Sequence, residues 1–257
     1  MFKRCLPTLL LALLPTLALA QDAAKDPRVI SMLANTSPPY ADSKLPNNGL
    51  ALEIVEHVMT RAGYQPDIAI ESWSRAMEGV RIGLYDALAA AWYTEERGQD
   101  FVFSEPYLES RLILVKLRED PRNYSELPLL AGRRLGVRVD YAYGIDFDAI
   151  PNLKLVEENH LIQNLLDLLN GSVDVVIGDQ RTVALQLREY LGKQVHKFEV
   201  VDIDLPGRGR HVAASRAVAG SEAMIEAFNK ALAASIKDGS HAAIVDKWDA
   251  RYNIPSR

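Results

Sequence analysis

From Val29 onward the chain alternates short runs of β-forming residues with runs of helical periodicity, in two successive series. This alternation constrains the fold more than any other feature, because strands separated by helical crossovers pack as parallel sheets covered by helices. In the first series residues 29–33 read as a strand and 50–61 as a helix. Leu52, Val55, Val58, Met59 and Ala62 recur on one face of that helix, and Gly63 is placed to end it. Residues 68–73 read as a strand, 75–82 as a short helix, 86–92 as a buried strand, and 112–117 as a β-type run after the break at Pro106. The second series gives a strand at 135–139, a helix at 161–169, a strand at 173–177 and a helix at 181–191. Two further β-type runs, 198–205 and 211–214, flank a flexible Pro206-Gly207-Arg208-Gly209, and two helices open at Ser221 and Ser240. The expected architecture is therefore α/β, with two lobes joined by two strand-like crossings at 111–117 and 201–212. Open α/β sheets bind ligands at the carboxyl ends of their strands, so two such lobes enclose a cleft.

Ahead of this pattern, Lys3 and Arg4 precede an almost wholly apolar run from 6 to 19, which ends in Ala18-Leu19-Ala20. That is the layout of a secretory signal peptide cleaved after Ala20, and a run of about 14 apolar residues is too short to span a bilayer. The single cysteine, Cys5, lies in this segment, so the exported chain has no thiol for a disulfide or a zinc site. The expected location is the periplasm. A formal charge of −5 argues against a protein that tracks nucleic-acid phosphates. His57, His160, His196, His211 and His241 lack metal-ligand spacing with one another, and no nucleophile elbow, P-loop or dinucleotide-binding glycine motif follows a strand. No cofactor and no metal are expected. Glu157-Glu158 reads as a solvated edge, and Arg208 and Arg210 as residues of a solvated loop.

Several motifs then match one family in order and spacing. They are Ser37-Pro38-Pro39-Tyr40, Gly49-Leu50-Ala51-Leu52-Glu53-Ile54, Trp73, Gly83-Leu84-Tyr85-Asp86-Ala87, Thr94-Glu95-Glu96-Arg97 and Phe103-Ser104-Glu105-Pro106-Tyr107. Leu135-Gly136-Val137, Asn170-Gly171-Ser172-Val173-Asp174, Asp179 and the tail from Gly239-Ser240 through Ile244, Lys247 and Trp248 complete the set. Through them the chain resembles the periplasmic solute-binding proteins of ABC importers, in particular the polar amino-acid group (family 3, type II periplasmic binding fold). The resemblance implies two α/β lobes that close over a solute by hinge bending, with permease subunits of an importer as partners and a monomeric receptor. The division expected is a signal peptide at 1–20, a first lobe of 21–113 plus 210–257, and a second lobe of 114–209.

The resemblance also implies ligand-binding residues. Arg97, in the Thr-x-x-Arg motif with Thr94, stands where the family grips an α-carboxylate, and a guanidinium fork suits the two carboxylate oxygens. Asp179 stands where the family's acid takes an α-ammonium, and it is also placed to cap the helix that follows. Trp73 and Tyr40 correspond to aromatic residues at the ligand. Ser37, Trp92 and Tyr141 complete the expected set. The chain departs from the family pattern in having Ala89-Ala90-Ala91-Trp92-Tyr93 where hydroxyls are common, and one residue fewer between Asp86 and Arg97. Ala34 or Asn35 replaces an acid before the Pro-Pro motif, and Asp140-Tyr141-Ala142-Tyr143-Gly144 replaces a hydroxyl-bearing turn. The expected pocket is aromatic and poor in hydroxyls, which shifts the reading from a standard polar amino acid toward a more apolar or aromatic carboxylate. Two other functions share this fold: a receptor feeding a membrane sensor, and a cyclohexadienyl-dehydratase-like enzyme, for which Glu105 and Asp140 are the loosely placed acids.

Overall fold

A computed structural model describes residues 28–252; the expected signal peptide and its cleavage point lie outside the described residues. The first series builds β1 (Arg28–Asn35), α1 (Leu50–Arg61), β2 (Tyr64–Glu71), α2 (Trp73–Arg81), β3 (Ala87–Trp92), α3 (Glu95–Asp100), β4 (Phe101–Phe103) and β5 (Leu108–Ser110). The second builds β6 (Leu112–Leu117), β7 (Arg134–Arg138), β8 (Lys154–Glu158), α4 (Leu161–Leu169), β9 (Val175–Asp179), α5 (Gln180–Leu191) and β10 (Phe198–Val201). The chain then returns through β11 (Arg208–Ser215) and ends in α6 (Ser221–Lys237) and α7 (Ser240–Tyr252).

These strands form two sheets, one ordered β2-β1-β3-β11-β4 with β5 also on β11, the other ordered β10-β6-β9-β7-β8. The two α/β lobes are thus present, but the sheets are mixed rather than parallel. β1 pairs β2 and β3 in parallel, as β7 does β8 and β9. β11 runs antiparallel to β3, β4 and β5, and β6 antiparallel to β9 and β10. Parallel neighbours need a crossover of a dozen or more residues, a helix between β1 and β2 and the long loop 139–153 between β7 and β8. The returning strand β11 has none, and it enters its sheet from the opposite end.

Four local readings are corrected. β2 begins at Tyr64 and stops at Glu71, so Trp73 opens α2 instead of closing a strand. Arg208 and Gly209 belong to β11, and the strand read at 198–205 ends at Val201. Gly209 is required by packing, not flexibility: a Cβ there would meet Pro106 Cβ at 2.8 Å and His211 Nε2 at 2.9 Å. β8, an edge strand whose side chains are mostly exposed, shows no buried alternation and escaped the reading; it carries Glu157 and Glu158.

The cores follow from the apolar faces. Ile54, Val55, Val58 and Met59 of α1 pack with Phe228 and Leu232 of α6 and Trp248 of α7 against the first sheet. Leu161, Leu165 and Leu168 of α4 cover one face of the second sheet with Val183 and Leu187 of α5. Its other face packs Leu135, Val137 and Ile177 with Tyr124, Tyr143 and, from the first sheet, Trp92. Arg181 on α5 holds Asp249 on α7 through paired bonds of 2.7 and 2.8 Å, a second tie between the two halves.

Two polar constraints fix loops. Asp174 accepts from Arg134 N at 2.9 Å, from Arg134 Nη2 at 3.0 Å and from Arg122 Nη2 at 3.2 Å. Burial acts to raise the Asp174 pKa, but these arginines outweigh it and hold it at about 2. The Ser37–Ala41 turn docks on the start of α1, where Leu50 N donates to Pro39 O at 2.9 Å and Ala51 N to Tyr40 O at 3.0 Å. Gly49 permits this approach, with φ +113° and no Cβ where one would sit 2.4 Å from Tyr40 O.

Two outcomes are expected. Gly49→Ala should lower the unfolding free energy by about 2 kcal/mol or more, since both backbone strain and a backbone clash result; an unchanged urea midpoint would contradict this. Asp174, depressed from 3.8 to about 2, contributes stability present above pH 3.8 and lost as the pH falls toward 2. The melting temperature should drop over that interval, and Asp174→Asn should flatten the drop.

Candidate functional site

The carboxyl ends of the parallel strands converge on a cleft of about 440 Å³ between the two sheets. The residues after β1 (Asn35, Thr36 and Ser37) and the start of α2 (Ser72 and Trp73) line it from the first lobe, together with Ala90 and Trp92 at the end of β3. From the second lobe come Arg138 at the end of β7, the loop through Tyr141 and Ala142, and Asn159 and His160 ahead of α4. Arg97 and Arg210 complete the wall.

Arg97 is placed by a helix cap. Thr94 is the N-cap of α3, its Oγ1 accepting from Arg97 N at 3.1 Å, so the Thr-x-x-Arg spacing turns the arginine inward. Its guanidinium lies 4.7 Å over the Trp73 ring, donates through Nη1 to Trp92 O at 2.9 Å, and reaches across the cleft through Nη2 to Asp140 O at 3.2 Å. Burial presses its pKa below the ordinary arginine value.

Trp92 packs edge-on against Tyr141 at 4.6 Å, and its buried Nε1 has no hydrogen-bond partner. Tyr141 lies under Arg138, 4.4 Å from ring to guanidinium, and its hydroxyl is 3.4 Å from Ser37 Oγ. Burial acts to raise the Tyr141 pKa, but the charges of Arg138 and Arg210 and the Ser37 bond carry it below the usual phenol value.

Five of the eight expected residues thus meet at the cleft: Ser37, Trp73, Trp92, Arg97 and Tyr141. Thr94, Tyr40 and Asp179 stand behind its surface. Tyr40 is fully buried and donates to Asp179 Oδ1 at 2.7 Å. Asp179 caps α5, its Oδ1 also accepting from Thr182 N at 3.0 Å, while its buried Oδ2 has no partner.

Arg210 overturns the reading of a solvated loop residue. It is 4% exposed, sits on β11 opposite Trp92, and stacks 3.5 Å over the Tyr40 ring. Burial works against its charge, but Tyr40, Tyr141, Asp179 and Tyr107 outweigh it and leave the pKa raised. The signal was in the strand parity: Arg210 shares its face with buried Val212 and Ala214, and the neighbouring glycines hid it. Arg138 was missed because it ends a strand, where β periodicity gives no information.

One regularity sets the chemistry. Among the described residues, the buried, unpartnered polar side-chain atoms on cleft-lining residues are Trp92 Nε1, Arg138 Nε, Arg210 Nε and Arg210 Nη2, and all are donors. Buried polar groups seek partners, so this surface complements acceptors, above all anionic ones.

Residues 29–250 match the sequence model of the bacterial extracellular solute-binding proteins, family 3. ABC transporter arginine-binding protein 1 of Escherichia coli K12 is 24% identical over 93% of this chain and 97% of its own length. The probable histidine-binding protein of Campylobacter jejuni is also 24% identical, over 86% of this chain and 85% of its own. Among solved structures, the VFT2 domain of the Bordetella pertussis sensor BvgS superposes with a TM-score of 0.73 at 21% identity, covering 86% of this chain and 93% of that one. With motifs, two-lobed fold and family match in agreement, the chain belongs to the bacterial extracellular solute-binding proteins, family 3.

Proposed function

We propose that this protein is a periplasmic receptor that captures an amino acid or related small carboxylate and delivers it to the permease subunits of an ABC importer. The observation that carries the reading is the cleft's run of unpartnered donors beside Arg97. The names of the arginine- and histidine-binding relatives support an amino-acid-like solute. In this reading export follows cleavage after Ala20 and the receptor acts as a monomer. Its lobes, 21–113 plus 210–257 and 114–209, close about the β6 and β11 crossings. Arg97 takes a carboxylate of the solute, exchanging its bond to the Asp140 carbonyl for a charge-assisted pair that is roughly twice as strong as a neutral one. Trp73, Trp92 and Tyr141 cover the rest, and closure is driven by contacts that the solute makes with both walls at once.

The receptor does no chemistry on its solute. Asp140 lies at the cleft, but Glu105 does not line it and gives its amide to Asn229 Oδ1 at 2.8 Å, so the two acids proposed for a dehydratase do not face one substrate. Turnover of prephenate by the purified protein would overturn this. The BvgS likeness keeps a sensory receptor as the second reading; co-purification with a sensor kinase instead of a permease would favour it.

Three measurements test the proposal. A carboxylate ligand at a hundredfold excess over its dissociation constant should stabilise the protein by about 2.7 kcal/mol, visible as a raised melting temperature. Arg97→Ala should cut affinity by about 10- to 100-fold, the worth of a charged hydrogen-bond pair; undiminished binding would refute the anchor. Saturation should also change tryptophan fluorescence through Trp73 and Trp92, with most of the change lost in Trp73→Phe if that ring covers the solute.

A further inference from the structure

Arg210 offers something that Arg97 does not. Arg97 already donates through both Nη atoms to backbone carbonyls, whereas Arg210 has Nε and Nη2 buried without a partner. These two N–H groups form one edge of the guanidinium, and their parallel donors match the two oxygens of a carboxylate. The same protein uses that edge repeatedly. Arg181 holds Asp249 through Nε and Nη2 at 2.7 and 2.8 Å, Arg81 holds Glu78 at 2.8 and 2.8 Å, and Arg134 holds Asp174 at 3.2 and 3.0 Å. Arg210 is as rigidly held as a binding residue needs to be, with its plane on Tyr40 and the Trp92 ring 5.4 Å away.

We infer that Arg210 is a second carboxylate-binding residue and that the solute is a small dicarboxylate, one acid group on Arg97 and the other on the Nε–Nη2 edge of Arg210. This rests on the proposed reading of the cleft as a carboxylate receptor. Both arginines adjoin Trp92, one through its carbonyl and one through its ring, so a short chain between the acid groups suffices. Trp92 Nε1 and, from the second lobe, Arg138 Nε add donors to the same cleft. An α-ammonium is compatible with this site, since Asp179 Oδ2, behind Tyr40, is the one buried acidic oxygen without a partner among the described residues. Plain dicarboxylates and acidic amino acids therefore share the required chemistry.

The test is isothermal titration calorimetry of the mature protein with succinate, glutarate, L-aspartate and L-glutamate, against L-glutamine, L-arginine and L-histidine. The dicarboxylates should bind about tenfold or more tightly than the single carboxylates, because a buried donor pair left unmatched is penalised. Arg210→Lys keeps the charge and loses the fork; it should weaken dicarboxylate binding by about tenfold or more. Preference for glutamate over glutarate identifies the acidic amino acid as the source, and the reverse identifies the plain diacid. Single carboxylates binding as tightly as dicarboxylates, or an Arg210→Lys variant that binds dicarboxylates as the wild type does, would overturn the inference while leaving the receptor reading intact. If no carboxylate binds at all, both fall. The unliganded melting temperature checks that the variant folds, and the wild-type preference decides if it does not.

Discussion

The site rests on one buried cation. Arg210 has been taken out of water between the two sheets, and an unpaired guanidinium there would cost several kcal/mol. The chain offsets this with the Tyr40 ring at 3.5 Å and the negative field of Asp179, which is fixed by bonds from Tyr40 Oη and Thr182. Each partner belongs to a different element: β11, the Ser37–Ala41 turn, and the β9–α5 junction. The charge thus joins both lobes at the cleft floor, and the requirement for Gly49 beneath Tyr40 follows from holding the turn that presents this ring.

Around that floor the walls touch through a few polar and aromatic contacts. Arg97 reaches the Asp140 carbonyl, Ser37 faces the Tyr141 hydroxyl, and Trp92 of the first sheet packs into the core of the second. None is a bonded charge pair. A solute that brings its own anionic groups to Arg97 and to the donors opposite makes contacts available only with the walls together, and only such differential contacts shift an opening equilibrium. In the proposed reading the aromatic lining supplies area and excludes water, while selectivity falls to the arginines.

Much of this was legible in the sequence. The amphipathic stripe of α1 and the leucine pattern of α4 gave those helices their observed ends, and the order of motifs gave the two-lobed family fold. Three-residue strands such as β4 and β5 are too short for any periodicity to register, and β8 lies at an exposed edge. The motif resemblance pointed to Trp92, Arg97 and Tyr141, all of which line the cleft. It failed for Arg210, whose flanking glycines resemble a loop and whose partners Tyr40 and Asp179 are distant in the chain. Tyr40 and Asp179 turned out to serve each other and Arg210 behind the surface, a relation that only the folded chain creates.

The most direct measurement is a crystal structure of the protein with a bound solute. Carboxylate oxygens should lie at about 2.7–2.9 Å from the guanidinium of Arg97 and from Nε and Nη2 of Arg210. A solute seated in the cleft with an ammonium or an apolar group against both arginines would contradict the account.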